Sequence, residues 1–220
     1  MELQKEAQFA VFDDLQKEYG ERSLSSIYGG GRVDHPEFCL VFMNPTARNM
    51  AANPNWRGIR APWIGTKQVW SLLADVGWIS HDRLARIQQM KPTDWTESFA
   101  ADLYREVAEV GVYITNLAKC TQVDARPLSN AVYRVYLPHL MDELVAIQPK
   151  YVIAFGNQVS SLLIGRSVRV SDYFGVSGEG IRYGEEQFTV YPTFYPVGQG
   201  ARNQPRAVEQ LRVLRGAAPR

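Results

Sequence analysis

The segment Tyr151-Val-Ile-Ala-Phe155-Gly156-Asn157 reads as a buried strand and the turn that ends it. Its apolar run has no polar alternation, the pattern of a strand covered on both faces. Gly156-Asn157 then opens a helix reaching about Ile164. The same logic recurs on either side. Phe38-Cys-Leu-Val-Phe-Met43 is a second apolar run, closed by Asn44-Pro45. Proline donates nothing to a ladder and pushes its predecessor out of the helical region. Val112-Tyr-Ile-Thr115 and Phe188-Thr-Val-Tyr191 supply two further strands. Helices are expected over 2–19, 66–76, 96–110 (capped by Thr96), 129–147 and 205–214. Gly29-Gly30-Gly31 reads as a turn, 46–65 as a long loop, and 168–186 as a ribbon or irregular loop. Strands alternating with helices predict an α/β fold. The expectation is a three-layer α/β/α sandwich around a central, mainly parallel, four-stranded sheet, in a single domain over 1–220. In such folds the working loops gather at the carboxyl ends of the strands.

Composition narrows the function classes. With 45% apolar and 21% charged residues in 220, the chain is neither a disordered tail nor a fibre. Its two cysteines, Cys39 and Cys120, cannot build a disulfide framework and point to a reducing compartment. No apolar stretch has membrane-spanning length, and the start, MELQKEAQF, carries acids where a signal peptide has a basic and then greasy run. A cytoplasmic protein without a membrane partner is expected.

The net charge is only +1, yet its distribution is uneven. Between Ala47 and Trp70 stand Arg48, Arg57, Arg60 and Lys67 with no acid. After Pro196, Arg202, Arg206, Arg212, Arg215 and Arg220 face a single acid, Glu209. The first 22 residues lean the other way, with Glu2, Glu6, Asp13, Asp14, Glu18 and Glu21 against Lys5, Lys17 and Arg22. Either the two basic segments converge to meet phosphates, or they are ordinary solvated surface.

Several chemistries can be set aside. His35, His81 and His139 lie far apart and pair with no cysteine or acid at metal-ligand spacing. There is no P-loop and no nucleophile elbow. Gly175, Gly178 and Gly180 do not lie between a buried strand and a helix, so they read as a turn. What remains is polar residues at three strand ends: Asn44 after the first, Asn116 after the second, and Thr193-Phe-Tyr195-Pro196 after the fourth. Ala61-Pro62-Trp63-Ile64-Gly65 adds an aromatic fixed by a preceding proline. Asparagine can pair with the edge of a base while an aromatic face stacks on it. A planar heterocycle is the kind of ligand such a set can hold. Each residue taken singly also has an ordinary reading, as turn or core.

Together and in this order, these segments resemble the uracil-DNA glycosylase superfamily. Phe42-Met43-Asn44-Pro45 is similar to the asparagine-proline form of the motif that positions water. Pro62-Trp63-Ile64-Gly65 matches the Pro-Phe-x-Gly pattern, with Trp63 for phenylalanine. Tyr113-Ile-Thr-Asn116-Leu-Ala-Lys-Cys120 and Pro149-Lys-Tyr-Val-Ile-Ala-Phe-Gly156 resemble the iron–sulfur branch. The resemblance runs from about Phe38 to Arg206 and implies a monofunctional glycosylase that removes uracil or another altered base from DNA, working as a monomer. It implies Asn44 and Tyr195 as catalytic, and Met43, Trp63 and Asn116 as base-binding. The candidate DNA contacts are Arg57, Arg60 and Lys67 of the first basic segment, together with Gly198, Gly200, Arg202 and Arg206 after Tyr195-Pro196, Arg202 falling where the family inserts a wedge.

Three departures matter. The interval from Asn44 to Trp63 is longer than usual, so this loop carries an insertion. The last motif opens Tyr195-Pro196 where the family has His-Pro or Asn-Pro. Cys120 falls on a cluster-ligand position, but Tyr136 lies near another and Cys39 is in a strand; four thiolates are needed, so neither a cluster nor any other metal or cofactor is expected. A DNA-binding relative without catalysis, or an α/β enzyme acting on a free nucleotide, are the alternatives.

Overall fold

The fold is given by a computed structural model that describes residues 2–217 other than 174 and 176. Arg220 of the basic tail lies outside them, as do the side chains of Glu2, Lys5 and Glu6. In chain order the elements are α1 (Glu2–Tyr19), β1 (Gly30–Gly31), β2 (Phe38–Phe42), α2 (Gln68–Val76), α3 (His81–Gln89), α4 (Glu97–Glu109) and β3 (Val112–Asn116). Then follow α5 (Asn130–Ile147), β4 (Tyr151–Phe155), α6 (Asn157–Ile164), β5 (Glu179–Tyr183), β6 (Glu186–Thr193) and α7 (Gln204–Ala217).

The strands form one sheet in the order β1-β3-β2-β4-β6-β5. Its four inner strands are mutually parallel, as their apolar runs predict. The sheet has six strands rather than four, because β1 and β5 add antiparallel edges. Neither edge has an apolar run to betray it. β1 is two glycines that pair through backbone alone, and β5 alternates partly buried with exposed residues, as a half-solvated edge does. The ribbon expected over 168–186 is thus in part a hairpin onto β6. The helix α3 was not expected either. Its sequence, HDRLARIQQ, is polar, and Ile87 is its one buried residue. The helix is started by the Ser80 side chain, which accepts from the Arg83 amide at 3.1 Å.

Alternating side chains of β2 enter two cores. Phe38, Leu40 and Phe42 pack with residues of α2, α4 and α7. Cys39 and Val41 pack with residues of α1, α5 and α6. These are the three layers. Among the described residues, no helix is long and apolar enough to cross a membrane. After β2 the chain moves to one neighbour, β3; after β4 it moves the opposite way, to β6. That reversal opens a crevice outside the carboxyl ends of β2 and β4. Asn44 and Gly156 stand at its lip.

Candidate active site

Strand register brings the ends together. Phe42 pairs with Asn116, and Phe155 pairs with Thr193, so the four parallel strands finish nearly level. Phe42 stacks on Phe155 with ring centres 4.3 Å apart. Trp63 meets Phe42 edge-on at 4.9 Å, and Tyr195 does so at 6.1 Å. The Phe42 ring is therefore the floor shared by two aromatic residues from distant loops.

The loop that delivers Trp63 is long but well tied. Asn49, buried inside it, donates to Ala61 O at 2.9 Å and accepts from the Ala51 amide at 3.0 Å. The Tyr104 hydroxyl donates to Pro62 O. Trp63 itself has φ 67°, a left-handed conformation that bulky residues rarely adopt. Its carbonyl accepts from Trp70 Nε1 at 3.1 Å and from Thr66 Oγ1 at 2.8 Å, which holds the strained residue in place.

Three side-chain atoms at this edge are buried without a hydrogen-bond partner: Trp63 Nε1, Asn116 Nδ2 and Thr193 Oγ1. A buried polar group left unpaired costs about 1–3 kcal/mol. Asn116 is 2% exposed, so bulk solvent does not reach it. Two of the three atoms can only donate, and the third is a hydroxyl that can. Trp63 and Asn116 both neighbour Phe42, so an acceptor-bearing planar ligand over that ring is within reach of their two donors, while Thr193 lies three strands from Asn116.

Asn44 is half-buried, and both ends of its amide are engaged. Its Oδ1 accepts from the Tyr133 hydroxyl at 2.7 Å, and its Nδ2 donates to Pro45 O at 3.2 Å. Tyr133 escaped the sequence reading. The available signal was its place in the first turn of α5, because helices in such folds that follow a strand begin at the carboxyl edge. Met43 contributes its carbonyl to the fold, accepting from the Ala118 amide at 3.0 Å. Tyr195 packs beside Gly156, and burial pushes its phenol above the usual tyrosine range. It therefore stays protonated, hence a donor, at neutral pH and well above it.

The expected phosphate contacts divide. Arg57, Arg202 and Arg206 are exposed, with the Arg206 guanidinium 5.4 Å over the Phe194 ring. Arg60 is not with them: its Nη1 lies 2.7 Å from Asp13 and 2.8 Å from the Tyr28 hydroxyl, bound to α1. Lys67 donates to Gln88 O at 2.5 Å. Gly200 owes its identity to its own loop, since a Cβ there would fall 2.1 Å from Tyr195 O, and its amide already donates to Val197 O at 3.0 Å. Gly198 has φ 60° and is exposed, with open space around it.

Beneath Asn116 lies a charged pair that sequence reading also missed. Lys119, 1% exposed, sets its Nζ 2.6 Å from Glu143 Oε2 and 2.8 Å from Asn116 O, and also meets Thr115 Oγ1. Tyr113 donates to Glu143 Oε1 at 2.6 Å and Thr115 to the same oxygen at 3.0 Å. A lysine from the loop after β3 and an acid from α5 thus clamp the strand end that carries Asn116. Cys120, next in the chain, is buried, with Gln122 Nε2 3.6 Å from its Sγ. Burial pushes its thiol up, and Tyr136, whose hydroxyl is unpartnered, stands close enough to influence it. With Cys39 inside β2, these residues do not fit a four-thiolate cluster, and among the described residues no group of His, Cys, Asp or Glu is arranged to hold a metal.

The family model described as Uracil DNA glycosylase superfamily matches residues 34–213. The chain belongs to that superfamily. The matched span runs from just before β2 into α7 and includes every site residue named above, from Met43 to Arg206. Only α1, β1 and the segments beside them precede it. No curated protein matches the chain. Superfamily membership supports DNA glycosylase activity for the chain; the base it takes is a separate question.

Proposed function

We propose that this superfamily member excises uracil, or a closely related altered base, from DNA by hydrolysing the N-glycosidic bond. The observation that carries the reading is the pair of partnerless donors on Trp63 and Asn116, both neighbours of Phe42 at the strand end that leads to Asn44. Turning a nucleotide out of the stack costs on the order of a few kcal/mol. A dioxo pyrimidine offers acceptors to these donors, and offers more as it departs with negative charge. Stabilising that charge with donors fixed in advance is worth about 3–4 kcal/mol each in a dry site.

Asn44 orients the attacking water. A neutral amide is a poor proton acceptor, so bond cleavage is largely dissociative, through a sugar cation and a base anion. Losing a true general base forfeits about 10²–10⁴ in rate, so a slow enzyme is expected. Single-turnover cleavage of oligonucleotides carrying uracil and a panel of altered bases, read as alkali-labile sites, tests the reading. Release of at least one base is expected. Failure on all of them with DNA affinity intact favours a non-catalytic DNA-binding relative, and preference for mononucleotide over DNA favours a nucleotide enzyme.

Two further outcomes follow from the site. If the Tyr195 hydroxyl donates to the leaving base, Tyr195→Phe slows the single-turnover rate about a hundredfold with little change in binding. Equal rates for wild type and Tyr195→Phe, with damage only in Tyr195→Ala, would reduce the ring to packing. Replacing the exposed Arg202 or Arg206 with glutamine should weaken DNA binding alike across sequences and lower the slope of log affinity against log salt by about one each. An unchanged slope would remove these arginines from the DNA interface.

A further inference from the structure

We infer that Tyr133 is a positioning residue that sets the polarity of the Asn44 amide toward the attacking water. The inference rests on the glycosylase reading and adds a residue to it. Asn44 can present its amide in two ways, which differ by exchange of Oδ1 and Nδ2. The Tyr133 hydroxyl donates to Oδ1 at 2.7 Å while Nδ2 donates to Pro45 O at 3.2 Å. In the exchanged orientation Oδ1 would face the Pro45 carbonyl, acceptor against acceptor. The two bonds therefore select one orientation.

The consequence is chemical. An amide oxygen has two lone pairs, and Tyr133 takes one. With one Nδ2 hydrogen held by the backbone, the second lone pair of Oδ1 is the acceptor that Asn44 offers a water. That water must donate a hydrogen to Asn44, which leaves its own lone pair for the sugar carbon. The opposite polarity would point hydrogens at the electrophile. Tyr133 is well placed to hold this choice. Its ring is fully buried, and its backbone amide donates to Ser129 O at 3.2 Å in the first turn of α5. Burial raises the phenol above its usual range and outweighs the lowering effect of the Leu128 backbone, so it remains protonated.

Tyr133→Phe keeps the ring and deletes the hydroxyl. The single-turnover excision rate is expected to fall about tenfold, as loss of one hydrogen bond of this class allows, with DNA affinity within about twofold. A second readout needs no turnover. In the Asn44→Asp variant the introduced carboxyl is titrated by carbon-13 NMR, with and without Tyr133→Phe. A donor favours the ionised carboxylate, so deleting it should raise the pKa of that carboxyl by roughly half a unit or more. The acid limb of the Asn44→Asp rate profile should move up by the same amount. Wild-type excision by Tyr133→Phe would overturn the role of Tyr133 and leave the glycosylase reading standing. An unmoved carboxyl pKa, even beside a lowered unfolding midpoint, would overturn it too, by making the tyrosine merely structural. Absence of excision from every base by the unaltered protein would overturn both readings together.

Discussion

Asn44→Ala should slow single-turnover excision by about a hundredfold or more while DNA affinity changes by no more than a few-fold. The asymmetry is the point. Asn44 lies at the lip of the crevice with its amide engaged by Tyr133 and Pro45, and it forms no part of the exposed basic surface of Arg202 and Arg206. On the proposed reading, binding energy comes from phosphates and base, and the water matters only in the transition state. An interaction made there alone lowers the rate without loosening the complex. Measuring rate and equilibrium binding on the same oligonucleotide separates the two. If Asn44→Ala retained the full rate, the water would have to be oriented by another group, and the assignment of this asparagine would fall. Loss of rate and affinity together would instead point to collapse of the β2 end, which circular dichroism and the unfolding midpoint would register.

Lys119→Met should destabilise the fold by about 3–5 kcal/mol, because it leaves the Glu143 carboxylate buried and unpaired. Lys119 and Glu143 lie 2.6 Å apart with side chains 1% and 10% exposed, so solvent screens the pair little. Urea unfolding reads the loss as a lowered midpoint. The double replacement Lys119→Met, Glu143→Leu should recover only part of it: the lone buried charge is gone, but the Tyr113 and Thr115 hydroxyls lose their shared acceptor. Recovery in stability need not restore function. Lys119 also donates to Asn116 O at 2.8 Å, so the double variant should still capture the base poorly. A loss below about 1 kcal/mol in the single variant would place the pair among weak surface-like ion pairs and contradict its burial.

Much of this protein could be read along the chain because parallel strands covered on both faces leave an unbroken apolar run. Phe38–Phe42, Val112–Asn116 and Tyr151–Phe155 form parallel strands because each is buried almost throughout. The strand-end positions of Asn44 and Asn116 follow from the same runs, with Pro45 marking the stop. The edges were illegible for the converse reason. Gly30–Gly31 carries no side chain to pattern, and Glu179–Tyr183 faces solvent on alternate residues. The helix His81–Gln89 buries too little to announce itself.

Local sequence thus determined the inner strands, the order of the layers and the residue types waiting at the carboxyl edge. Only tertiary structure decided which of them act together. Tyr133 reaches Asn44 because α5 begins at the carboxyl edge, where β2 also ends. Glu143 meets Lys119 because that helix lies across β3, and Arg60 is drawn from the basic loop to Asp13 of α1. No periodicity records such contacts. Burial of apolar surface fixes where the elements lie, and the polar partners then follow from proximity in space, across intervals of chain that carry no pattern of their own.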